Sequence, residues 1–147
     1  MRTSDARRWP VPVILVSLLL LVPHWGCMGA CDLLVPTKRL PGPYSLVQFD
    51  GERYYVVKEG VKFGGGGVLQ GSVGALGWND RYIVGKRFAM RSDLRSGWMI
   101  IDVQTSEIKG PFTEDEFAEA VRQDSSLASI KIWPVAEAWK KLGWPPW

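Results

Sequence analysis

The sequence predicts an α+β fold, a small antiparallel β-meander sheet followed by two short C-terminal helices. β-rich runs recur from Tyr44 to Val103 with turn residues between them. A capping box opens at Thr113, and a helical apolar period runs from Val135 to Leu142. No repeat of about 20–50 residues is visible, which argues against a solenoid or a full propeller.

The domain is expected over residues 44–143, in one piece, as a chain of 147 residues allows. Tyr44–Phe49 and Tyr54–Lys58 flank Asp50-Gly51-Glu52-Arg53, and Asp-Gly between β-rich runs signals a hairpin. Gly64-Gly65-Gly66-Gly67 reads as a flexible turn. It is no phosphate loop, because Val68-Leu69-Gln70 follows where Gly-Lys-Ser/Thr and a helix are required. Val68–Trp78 and Tyr82–Phe88 flank a second turn at Asn79-Asp80. Met90–Gly97 is a polar loop, Trp98–Val103 a strong strand, and Gln104–Glu107 turns toward Ile108.

Thr113 and Glu116 then have capping-box spacing, and Phe112 and Phe117 are placed as a hydrophobic staple. Glu114, Asp115 and Glu116 set negative charge at the positive end of the helix dipole. Phe117, Ala120 and Val121 form its buried stripe. Ile130–Trp133 has the character of a short strand, and Pro134 suits a first helical position. Val135, Ala138, Trp139 and Leu142 follow at helical spacing, Lys140 and Lys141 occupy the last turn, and Gly143 is the stop. Residues 144–147, Trp-Pro-Pro-Trp, form a tail that cannot be helical.

Residues 1–30 read as a secretory signal: three arginines before Pro12, an apolar run Val13–Val22 broken only by Ser17, then small residues. The apolar core is shorter than the roughly 20 residues of a spanning helix. Met28-Gly29-Ala30-Cys31 resembles a bacterial lipobox. That resemblance implies cleavage before Cys31 and attachment of its thiol to diacylglycerol, leaving the protein on the cell membrane and facing outside the cytoplasm. Asp32 directly after the cysteine resembles an inner-membrane retention signal. Ordinary secretion with cleavage after Ala30 and an uncleaved anchor are the alternatives, as is a Cys27–Cys31 disulfide. Residues 31–43, with Pro36, Pro41 and Gly42, read as a tether.

Of 18 basic and 15 acidic residues, three and one fall in the leader, leaving 15 and 14. The sequence pI near 9.0 therefore comes largely from the leader and is no sign of nucleic-acid binding. The one histidine, His24, lies there too. A cleaved chain has no imidazole, which excludes Ser-His-Asp and Cys-His catalysis and histidine-ligated metal. No catalytic residue, metal or cofactor is expected. Glu114-Asp115-Glu116 is the densest carboxylate group, and its position at a helix start already accounts for it.

Six tryptophans lie beyond the leader, at positions 78, 98, 133, 139, 144 and 147. Trp98 and Trp139 are expected in the core.

Tyr44-Ser45-Leu46-Val47, Leu76-Gly77-Trp78-Asn79-Asp80-Arg81-Tyr82-Ile83-Val84, Trp98-Met99-Ile100-Ile101-Asp102 and Gly110-Pro111-Phe112 resemble segments of a family of small bacterial lipoproteins of unknown function, over residues 27–122. The resemblance implies a membrane-tethered domain and transfers no catalytic residue. Residues 98–139 also resemble the bacterial variant of the GYF domain, a binder of proline-rich peptides, through Trp98, Gly110-Pro111-Phe112, Trp133 and Trp139. It implies that Trp98, Phe112, Trp133 and Trp139 contact ligand. A strand-to-helix turn with a staple is the plain alternative for Gly110-Pro111-Phe112-Thr113. The expected function is a non-catalytic, membrane-anchored lipoprotein binding a protein or cell-envelope component. A GYF-like peptide binder is the second reading, and a carboxylate-only enzyme acting on an envelope glycan the least favoured.

Overall fold

The structure, a computed structural model, describes residues 35–61 and 66–143. The expected leader, Cys31 and the 144–147 tail lie outside the described residues.

The strands form two antiparallel sheets rather than one meander. The first holds β1 (Thr37–Arg39), β2 (Tyr44–Phe49) and β3 (Arg53–Lys58), in that order. The Asp50-Gly51 hairpin is where the sequence places it, with both residues at positive φ and Phe49 paired to Arg53. The second sheet contains β4 (Gly71–Trp78), β5 (Tyr82–Ala89), β6 (Gly97–Asp102), β7 (Ile108–Phe112) and β8 (Ile132–Pro134). Its order is β7-β6-β5-β4-β8.

Three helices, rather than two, are present among the described residues: α1 (Glu114–Gln123), the single-turn α2 (Ser125–Ala128) and α3 (Val135–Lys141). The extra turn starts at Asp124, whose carboxylate accepts from the Ser126 N–H at 2.8 Å.

Further expectations change at particular residues. Thr37–Arg39 was expected in the tether but pairs with Ser45–Val47. Backbone pairing holds this strand although its sequence is polar. Val68–Gln70 turns instead of extending, with Gln70 at φ 54°. Pro134 ends β8 and caps α3, whose first helical residue is Val135. Gly110-Pro111-Phe112 lies in strand β7, and that strand is at the sheet edge, where proline's missing N–H costs no ladder bond. The Gly110–Pro111 peptide is cis.

At its centre the second sheet is buried on both faces, so Tyr82–Val84 of β5 and Trp98–Ile101 of β6 are apolar without a break. On one face Leu76, Ile83, Met99 and Ile101 pack with Tyr44, Leu46, Tyr54 and Val56 of the first sheet and with Val135, Ala138 and Leu142 around α3. On the other, Tyr82, Val84, Trp98 and Ile100 pack with Phe117 and Leu127 from α1 and α2. The alternation along β5 is direct: Ile83 joins the first cluster, and Tyr82 and Val84 join the second. Gly77 lets β8 pass close to β4, because a Cβ there would meet the Lys131 carbonyl oxygen.

The start of α1 follows its sequence signal. Thr113 Oγ1 accepts from the Glu116 N–H at 3.3 Å, and the Glu116 carboxylate accepts from the Thr113 N–H at 2.8 Å. Thr113→Ala is expected to lower stability by about 1 kcal/mol, read as a fall in the denaturant midpoint at unchanged slope. An unchanged midpoint removes the cap from the account of this helix.

Among the described residues, two cations are buried. Lys38 donates to the Leu142 carbonyl at 2.8 Å and lies 5.1 Å from the Trp139 ring centroid. Arg87 donates to the carbonyls of Leu69, at 3.0 Å, and Arg95. Burial pushes its guanidinium below the ordinary arginine value. Both cations fasten loops or chain ends to the sheets through carbonyl oxygens.

Candidate functional site

The four aromatic positions expected to meet ligand divide between the two faces of the second sheet. Trp98 and Phe112 are register partners on β6 and β7 and belong to the α1 side. Trp98 is 8% exposed. Its ring stacks on Phe117 with centroids 4.6 Å apart at an interplanar angle of 14°. Its indole N–H donates to Glu114 Oε2 at 2.7 Å, while Lys86 Nζ donates to Glu114 Oε1 at 2.5 Å. Those two donors hold the Glu114 carboxyl below the usual glutamate range, the lysine more strongly. Gly110 permits the approach of β7, because a Cβ there would meet the Trp98 carbonyl oxygen.

Trp133 and Trp139 pack against the other core, beside the first sheet. Trp133 lies opposite Leu76, a core residue of that face, and its ring is 5.2 Å from Trp78. Trp139 lies 5.6 Å from Tyr54. The four aromatics therefore do not share one groove. Trp98 is in the core as expected, whereas Trp139 is half-buried at its rim.

The acidic cluster at the start of α1 has structural partners as well as the helix dipole. Glu114 binds Trp98 and Lys86, and Glu116 completes the cap. Asp102 accepts from the Gln104 and Thr105 N–H groups, which lower its pKa, and lies 3.6 Å from Arg81. Among the described residues, no group of three or more His, Cys, Asp or Glu is placed to hold a metal.

A hollow that the sequence did not reveal crosses the outer face of the first sheet. It is open, has a volume of about 410 Å³, and is lined by Arg39, Pro43, Ser45, Val57, Lys58 and Glu59 among others. Arg39, Ser45 and Val57 are aligned across the three strands. Lys58 Nζ donates to Ser106 Oγ at 3.0 Å and lies 5.9 Å from the Tyr44 ring centroid. The lining offers a guanidinium, an ammonium, hydroxyls and a carboxylate, a set suited to hydrogen bonding with a polar or charged partner. The hollow was hidden in the sequence because Thr37–Arg39, one of its walls, carries no strand signal.

A second polar contact pins the helical layer. The Tyr82 hydroxyl donates to Asp124 Oδ2 at 2.8 Å. That bond raises the tyrosine pKa and is the largest cause lowering the Asp124 pKa. The aspartate's contribution is complete above its unfolded pKa of about 3.9 and is lost as pH falls through the lower folded value. The tyrosine's contribution is complete below about 10 and is lost as pH rises through its raised value. Tyr82→Phe is expected to lower the melting temperature at neutral pH, with the gap to the parent narrowing in acid. A gap that stays constant from neutral pH to below about 3 assigns the loss to packing instead.

The chain matches no family model, and no curated protein or solved structure matches it. The two family resemblances rest on the quoted residues alone. Among the described residues, no helix is long and apolar enough to cross a membrane.

Proposed function

We propose that this chain is a membrane-anchored lipoprotein on the outer side of the cytoplasmic membrane. It holds a non-catalytic domain that binds a protein or another component of the cell envelope. The observation that carries this reading is Met28-Gly29-Ala30-Cys31 at the end of a basic, apolar and small-residue leader. Strand pairing beginning at Thr37 supports it, because the folded domain follows Cys31 after a short connection. The polar hollow beside Arg39 is the surface we assign to the partner.

Intact mass spectrometry of the protein extracted from membranes tests the anchor. The expected mass is that of a chain beginning at Cys31 with two or three acyl chains. A chain still beginning at Met1, with both thiols unmodified, overturns the reading.

A further inference from the structure

Gln48 donates its N–H to the Pro36 carbonyl at 3.0 Å, and Thr37 pairs with Val47. The chain therefore joins the first sheet at the Phe49 end of β2. At this end the outer face of the sheet carries an apolar patch between Thr37 and Arg53, the register partners of Val47 and Phe49. Phe49 and Val47 alternate onto that face, and Val47 and its register partner Tyr55 are buried beneath the exposed Phe49. The Phe49 and Tyr55 rings meet edge to face with centroids 6.4 Å apart. The Tyr55 hydroxyl donates to Met90 Sδ at 3.2 Å, which brings Met90 to the same place. Phe49 is 39% exposed and Met90 47% exposed. Two cations accompany them, Arg53 paired with Asp50 and Arg91 paired with Asp93. The polar hollow around Arg39, Ser45 and Glu59 adjoins this patch, with Thr37 and Val47 in its lining.

We propose that the Phe49–Met90 end of the first sheet is a membrane-contact surface, seated at the boundary between lipid headgroups and acyl chains. The inference rests on the lipidation of Cys31. Pro36 is five positions after Cys31, and a fully extended connection of that length spans at most about 18 Å. An acylated Cys31 lies at the bilayer surface, so the point where the chain enters the sheet is held within that distance of lipid. Phe49, on the strand that Pro36 joins, and Met90, brought beside Tyr55, are exposed apolar side chains at this end of the sheet. So small an apolar contact binds a bilayer weakly by itself, and the anchor makes it a local event that sets the orientation of the domain. The α1–α2 layer lies across the second sheet from this surface and is held away from lipid.

The test uses the full chain, processed in cells, extracted and reconstituted into phosphatidylethanolamine–phosphatidylglycerol vesicles with or without brominated acyl chains. Phe49→Cys, Met90→Cys and, on the exposed side of α1, Ala118→Cys are each labelled with a bromine-quenched fluorophore. Acylation blocks Cys31, so the introduced thiol takes the label. The probes at 49 and 90 are expected to lose most of their emission in brominated vesicles, and the probe at 118 to keep its own. The intact mass of each sample reports the anchor separately. An acylated protein whose probes at 49 and 90 keep their emission overturns the membrane contact and leaves the anchor standing. Equal quenching at all three positions overturns the orientation. A protein without acyl chains overturns both proposals.

Discussion

Replacing Cys31 with serine is expected to release the protein from the membrane fraction and to remove the mass of its acyl chains. Serine cannot form the thioether through which a diacylglycerol is held. Each buried methylene contributes about 0.8 kcal/mol to membrane binding, so the loss of two or more chains outweighs any contact the domain itself makes. Fractionation followed by immunoblotting reads the release, and intact mass reads the leader. A Cys31→Ser protein that stays membrane-bound with its leader intact would instead identify Val13–Val22 as an uncleaved anchor. A Cys31→Ser protein secreted in the same form as the parent would identify ordinary cleavage after Ala30.

The largest loss of stability is expected for Trp98→Ala, about 3–5 kcal/mol. The indole fills the second core, stacks on Phe117 and donates to Glu114, which is the first residue of α1. Removing it opens a cavity beneath the helix and takes one of two donors from the carboxylate. Trp98→Phe should recover part of the loss, since it keeps an aromatic ring against Phe117 while surrendering the N–H and the volume of the indole's second ring. Denaturant unfolding measures both variants. The same experiment bears on the peptide-binding reading. A Trp98→Ala protein as stable as the parent would free the indole from its packing role and return it to the candidates for ligand stacking.

The parts of this fold legible in the sequence are those set by neighbours along the chain. Asp50-Gly51 places a hairpin because two adjacent residues must accept positive φ. Thr113 and Glu116 place a helix start because they bond each other's backbone. The spacing of Val135, Ala138 and Leu142 places the buried side of α3. Long-range pairing was not legible. Thr37–Arg39 is short, charged and close to prolines, and it is a strand only because Ser45–Val47 lies beside it. The division into two sheets depends on which β-rich runs pair, and no single run states that.

The aromatic positions show the same limit. Trp98, Met99, Ile100 and Ile101 are all apolar because both faces of the second sheet are covered. Strict alternation is absent, so nothing in the run tells which side of the sheet Trp98 occupies. Trp133 takes its side from its register with Leu76, a residue 57 positions earlier in the chain. A groove built from all four aromatics was therefore compatible with the sequence and is not formed in the fold. The hollow near Arg39 shows the converse, a surface assembled in part from residues that the sequence assigns to a tether.

The pairing of β8 with β4 has a consequence for biosynthesis. Ile132–Pro134 leaves the ribosome well after β4, yet it is needed to close the edge of β4. Until it arrives, that strand presents unsatisfied amides and carbonyls to any other chain nearby. Premature termination before Ile132 would thus do more than shorten the protein: it would leave a permanent sticky border along which copies could associate.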